Sequence, residues 1–141
     1  MRCRFSIWLA ATLLASVFAG AQDKPTVEHK AAPATSPASG KEMFMSYCAS
    51  CHGKTGMGDG PAADALKVPP ANLTQLAKKF GKYPSLRVSS ILRGQANLAA
   101  HGNAEMPMWG NIFRQMSGGH ESEVQQRIVN LNHYIESIQA K

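Results

Sequence analysis

The chain has 141 residues, 44% of them hydrophobic and 17% charged, with a formal net charge of +6. That length fits one small domain with appendages. Residues 40–141 keep eleven Lys and Arg against seven Asp and Glu. This excess suits acidic partner surfaces but is too small, and too poor in basic stripes with aromatics, to predict nucleic-acid binding.

Residues 1–21 read as a secretory signal. Arg2 and Arg4 form a basic start, Phe5 to Phe18 an apolar run, and Ala19-Gly20-Ala21 a small-residue cleavage site. The run is shorter than the roughly 20 residues of a membrane span. An uncleaved anchor is the rival reading. Cys3 precedes the run and leaves with the signal. The mature chain then has Cys48 and Cys51 as its only cysteines, and no structural disulfide is available. Residues 22–39, rich in Ala, Pro, Ser and Thr, have no apolar period and are expected to form a disordered linker. The folded domain is expected over 40–141.

Ser39 followed by Glu42 predicts a capped helix from about Gly40 to Cys51, with Phe44, Cys48 and Cys51 on one face. Glycine-rich 53–61 reads as loop. Ala62 to Lys67 predicts a turn or two of helix, and Thr74 to Phe80 a short helix ended by Gly81. Pro84 or Ser85 opens another helix that stops at Gly94. The clearest element is the last. Val124, Ile128, Leu131, Ile135 and Ile138 recur at steps of four and three, and Ser122 with Gln125 offers a second capping box. His133 falls off that stripe. No alternating strand pattern is found, so the fold class is all-α.

Cys48-Ala49-Ser50-Cys51-His52 is the pattern of covalent c-type haem attachment. Two thiols one helical turn apart match the two vinyl groups of one haem, and the adjacent histidine sits beneath the iron. Two other readings stay open at this level. A thioredoxin-like redox pair expects a βαβ context. A zinc half-site would need further ligands, such as His101 or His120.

With these residues in view, the chain resembles class I monohaem cytochromes c of the bacterial periplasmic type over nearly all of 40–141. The resemblance implies four to five helices wrapped around one covalent haem c, and a crossing of the first and last helices through Gly40, Phe44, Leu131 and Tyr134. It implies that a proline carbonyl, Pro61 in the matching position, accepts the second ring N–H of His52. It also implies a methionine as second axial ligand. Met106 of Met106-Pro107-Met108-Trp109-Gly110 takes that role, with Met108 as the rival and Met116 behind it. Met43, Met45 and Met57 lie too near His52 in sequence to cross the haem plane. Trp109, Asn72 and Arg87 are candidates for polar contacts at the haem edge.

The expected function is that of a single-haem electron carrier rather than an enzyme, with the haem held by Cys48, Cys51, His52 and Met106. Export, a periplasmic location, a monomeric state and transient redox protein partners go with it. Retention of the signal would instead tether the domain to the membrane. The competing functions are a haem-bearing subunit or tethered module of a larger oxidoreductase, and an open-site haem enzyme or sensor with His101 as distal group.

Overall fold

The Ser39 hydroxyl accepts the Glu42 N–H at 3.2 Å and starts the first helical segment of the computed structural model. The structure describes residues 32–95 and 106–141. The expected signal over 1–21, the linker up to residue 31, and His101 lie outside the described residues. The helices form one compact unit, Ala31–Lys141.

The first segment runs as α1 (Gly40–Met43), a π-helical stretch (Phe44–Cys48) and α2 (Ala49–His52). The capping box is only half formed. The Glu42 carboxylate reaches past Ser39 to accept the Ser36 N–H at 3.3 Å, because the Ser39 N–H is already bonded to the Ser36 carbonyl. Met43, Phe44, Tyr47, Cys48 and Ala49 are buried along this segment. Two short 3-10 turns follow, Ala63–Ala65 and Leu73–Gln75, the second leading into α3 (Leu76–Phe80), which Gly81 ends. Next, α4 (Ser85–Arg93) stops at Gly94 as expected and buries Val88 and Leu92. Leu86 is not part of that face and is 85% exposed.

Two elements depart from the sequence reading. A helix α5 (Trp109–Met116) was not expected. Trp109, Ile112, Phe113 and Met116 do carry helical spacing. The last helix, α6 (Glu121–Ser137), begins before the expected capping box, with His120 in the capping position. Ser122 is therefore already inside the helix. Its buried stripe holds Val124, Ile128, Leu131 and Ile135 as expected, with Arg127 and Asn132 buried alongside, but Ile138, expected on the same stripe, caps the helix end and is only partly buried.

The α1 segment crosses α6 where Gly40 meets Asn130 and Tyr134. The Phe44 and Tyr134 rings pack with centroids 5.1 Å apart, and Leu131 is fully buried in the same core. Residues 32–39 do not behave as the expected linker. Thr35 is buried, Arg127 and Asn130 donate to the Thr35 and Pro37 carbonyls at 3.0 and 2.9 Å, and Ala32 packs against the core. Fixed polar partners on α6 offset the ordering cost that composition alone predicts would prevail. Among the described residues there is no strand, and no helix is long and apolar enough to cross a membrane.

Candidate functional site

Cys48 closes the π-helical stretch, and Cys51 and His52 sit on α2. Beyond His52 the glycine-rich loop folds back on the helix end. Gly58, Gly60 and Ala62 donate to the carbonyls of His52, Cys51 and Ser50 at 2.8, 3.0 and 2.9 Å. These bonds satisfy acceptors that a helix C-terminus leaves open. Gly58, at φ +89°, passes so close to Pro70 that a Cβ there would lie 2.5 Å from the Pro70 carbonyl oxygen. A side chain at 58 would push the 70–73 segment away.

That segment holds the histidine. The Leu73 N–H donates to the Gly56 carbonyl at 2.7 Å, which carries the chain back across α2. Ala71, nineteen residues from His52, thereby presents its carbonyl 3.0 Å from His52 Nδ1. A carbonyl only accepts, so Nδ1 bears the proton and Nε2 keeps its lone pair. The expected Pro61 contact is thus corrected: the acceptor is Ala71, because Gly56 pairs with Leu73. Burial holds the His52 pKa below its usual value, with the Ala71 bond opposing. Taken together the two effects favour the neutral imidazole, burial being the larger, and that is the form that binds a metal.

Cys48 and Cys51 are free thiols. Burial first, and the nearby Cys51 second, push the Cys48 pKa up to about 12. Both cysteines, His52 and Met106 line one cavity of about 300 Å³, within the usual range for ligand pockets. Its walls are largely apolar side chains, Tyr47, Leu76, Val88, Leu92, Trp109 and Ile135 among them.

The other methionines are disposed elsewhere. Met108 is 54% exposed and lies against Gly94. The Met116 sulfur accepts from the Tyr47 hydroxyl at 3.8 Å. Met43 is fully buried beside Arg127, while Met45 and Met57 are exposed. Trp109 is buried and stacks on Tyr47, centroids 5.0 Å apart. Asn72 acts as a cap: its side-chain oxygen accepts from the Thr74 N–H at 3.0 Å and from the Thr74 hydroxyl at 2.7 Å. Arg87 lines the cavity and lies over the Phe80 ring at 5.3 Å.

The rival chemistries find no support among the described residues. No cluster of three or more His, Cys, Asp or Glu could hold a metal ion there, and no βαβ unit surrounds the thiols. Paired thiols, an oriented neutral imidazole and a thioether around an apolar cavity fit covalent haem and its two axial ligands. The sequence reading missed Tyr47 and Ala71. Tyr47 was legible, three residues after Phe44 and before Cys48 on the same face. Ala71 carried no signal, because it acts through its backbone.

A family model described as cytochrome c oxidase, cbb3-type, subunit III matches residues 35–117. The match opens at the buried Thr35 and spans both cysteines, His52 and the Met106 segment. Comparison with curated proteins and with solved structures gives no match.

Proposed function

The chain belongs to the family described as cytochrome c oxidase, cbb3-type, subunit III, and from that premise we propose a single-haem electron carrier with His52 and Met106 as axial ligands. At the coarser level the domain is a c-type cytochrome serving haem-based electron transfer. One observation carries the finer reading: both thiols, the imidazole and the Met106 thioether line a single apolar cavity. The haem, once bound, supplies reversible one-electron chemistry at its iron. Ala71 keeps the His52 ring in the tautomer that leaves Nε2 free. Around a bound haem the apolar walls would exclude water and disfavour extra charge at the metal, and with Met106 as ligand they would raise the potential. Pro107 restrains the backbone beside Met106.

Intact-mass measurement of the exported protein tests this most directly. The expected mass is that of a chain starting near Gln22 plus one haem on Cys48 and Cys51. A mass equal to the full-length, haem-free chain defeats both cleavage and attachment. A cleaved, haem-loaded chain would work in the periplasm.

Its partners are proposed to be transient and acidic at the docking face. Residues 65–95 hold Lys67, Lys78, Lys79, Lys82, Arg87 and Arg93 and no Asp or Glu. Lys79 and Arg87 line the cavity, next to Phe80, which is 42% exposed. An apolar patch with a basic rim suits a brief encounter steered by charge. Reduction of the anionic probe ferricyanide by the ferrous protein should slow as salt rises, and slow further in Lys79→Glu. A rate independent of both would remove the steering argument.

A second reading follows from the family description, which names an oxidase subunit. In that case the domain would be a module of a larger assembly, tethered through its N-terminal side. Separating membrane from soluble fractions distinguishes the two readings. Carbon monoxide addition to the ferrous protein addresses the open-site alternative, since a six-coordinate carrier resists it.

A further inference from the structure

Tyr47 takes part in two structures at once. Its ring lines the cavity beside Cys48, stacked on Trp109 with an interplanar angle of 28°. Its hydroxyl meets residues that do not line the cavity. The Pro33 carbonyl lies 2.7 Å away and the Thr35 hydroxyl also 2.7 Å away. Both belong to the segment that precedes α1.

The proton order in this group follows from what each atom can do. The Pro33 carbonyl only accepts, so the Tyr47 O–H donates to it. The Thr35 hydroxyl then donates to the Tyr47 oxygen. In turn Thr35 Oγ1 accepts from Arg127 Nη1 at 3.1 Å, since a guanidinium only donates. The chain therefore runs from Arg127 to Thr35, to Tyr47, to Pro33. Met116 Sδ, at 3.8 Å from the Tyr47 hydroxyl, is the weaker competing acceptor.

The origin of this relay is a buried cation. Arg127 is 5% exposed. It is paired with Glu123 through Nε at 3.1 Å and Nη2 at 2.9 Å. Nη1 is left for Thr35, whose carbonyl it also meets at 3.0 Å. A buried charge that loses a partner is costly, so the strand of chain around Thr35 is tightly held. Asn130 fixes its far end through the Pro37 carbonyl at 2.9 Å. A charged donor at one end also polarises and strengthens the bonds beyond it.

We propose that Thr35 and Arg127 are positioning residues for the haem cavity, and that residues 33–37 form a strap fixing the Tyr47–Trp109 wall. The inference rests on the haem reading above and deepens it. The N-terminal connection of the domain, whether it continues to a cleaved end or to a membrane anchor, is coupled through one hydroxyl to the surroundings of the iron. Loosening the strap frees Tyr47 to rock, admits water beside the haem and favours the ferric state.

The test uses the purified haem-loaded protein and the variants Thr35→Val, Thr35→Ser and Tyr47→Phe. Valine keeps the shape of threonine without its hydroxyl, and phenylalanine keeps the ring that faces the cavity. At a fixed ambient potential, Thr35→Val and Tyr47→Phe should each move the ferrous-to-ferric ratio toward ferric by threefold or more. Each should also weaken the near-ultraviolet circular dichroism of the Tyr47–Trp109 stack. Thr35→Ser should restore both signals. The proposal is overturned if the Val and Phe variants match the wild type, or if Thr35→Ser behaves like Thr35→Val. Should Thr35→Val fail to fold, Tyr47→Phe decides alone. If the wild-type protein carries no haem, the haem reading fails, and the dichroism of the stack still tests the strap.

Discussion

Replacing Met106 with alanine is expected to abolish the near-infrared sulfur-to-iron band, lower the reduction potential and let carbon monoxide bind the ferrous iron. Met106 is the methionine that lines the cavity with His52, and its position before Pro107 limits how far the backbone can drift. Removing the thioether leaves an open coordination position in an apolar pocket and withdraws a ligand that favours ferrous iron. Met108→Ala is the matched control. With its side chain 54% exposed against Gly94, it should lose no more than a few tenths of a kcal/mol and keep the band. Loss of the band in Met108→Ala with retention in Met106→Ala would shift the assignment by two residues. Retention in both would move the sixth ligand out of this segment.

The second large effect is expected at Gly40, where alanine should destabilise the fold by about 1–3 kcal/mol. A Cβ at this position would lie 2.0 Å from the Asn130 carbonyl oxygen, 2.7 Å from its carbon and 2.9 Å from Tyr134 Cβ. Two of those three atoms are backbone within α6, so no rotamer change relieves the clash. The helices must separate, loosening the Phe44–Tyr134 contact. Alanine in place of glycine in a helix ordinarily gains roughly 0.5–1 kcal/mol. At Gly40 the steric term is larger and sets the sign. For a domain of this size the melting temperature should fall by ~4–8 °C for each kcal/mol. An unchanged thermal midpoint in the haem-loaded protein would mean that α1 and α6 do not pack through Gly40.

Some of this molecule is legible one residue at a time. Cys48, Cys51 and His52 stand at the spacing of a haem-attachment motif, and the structure brings them to one cavity. The stripe of α6 and the stops at Gly81 and Gly94 are local signals, and they hold. The methionine was a choice between near neighbours that spacing alone left open. The fold separates them, turning Met106 to the cavity and Met108 outward at the start of α5.

What the sequence by itself determined is therefore the haem-binding pattern and the all-α class, while the crossing of first and last helices was implied by the family resemblance. The first two rest on side-chain chemistry or on a period that repeats within a few residues. What only the tertiary structure decided rests on backbone atoms and distant partners. The Ala71 carbonyl accepts the His52 Nδ1–H because the 70–73 segment pairs with Gly56, and a carbonyl has no residue type to betray it. Residues 32–39 are ordered because Arg127 and Asn130, over ninety positions away, supply donors for the Thr35 and Pro37 carbonyls. Composition reports what a segment can bury by itself, and it is silent on what a distant helix will offer it.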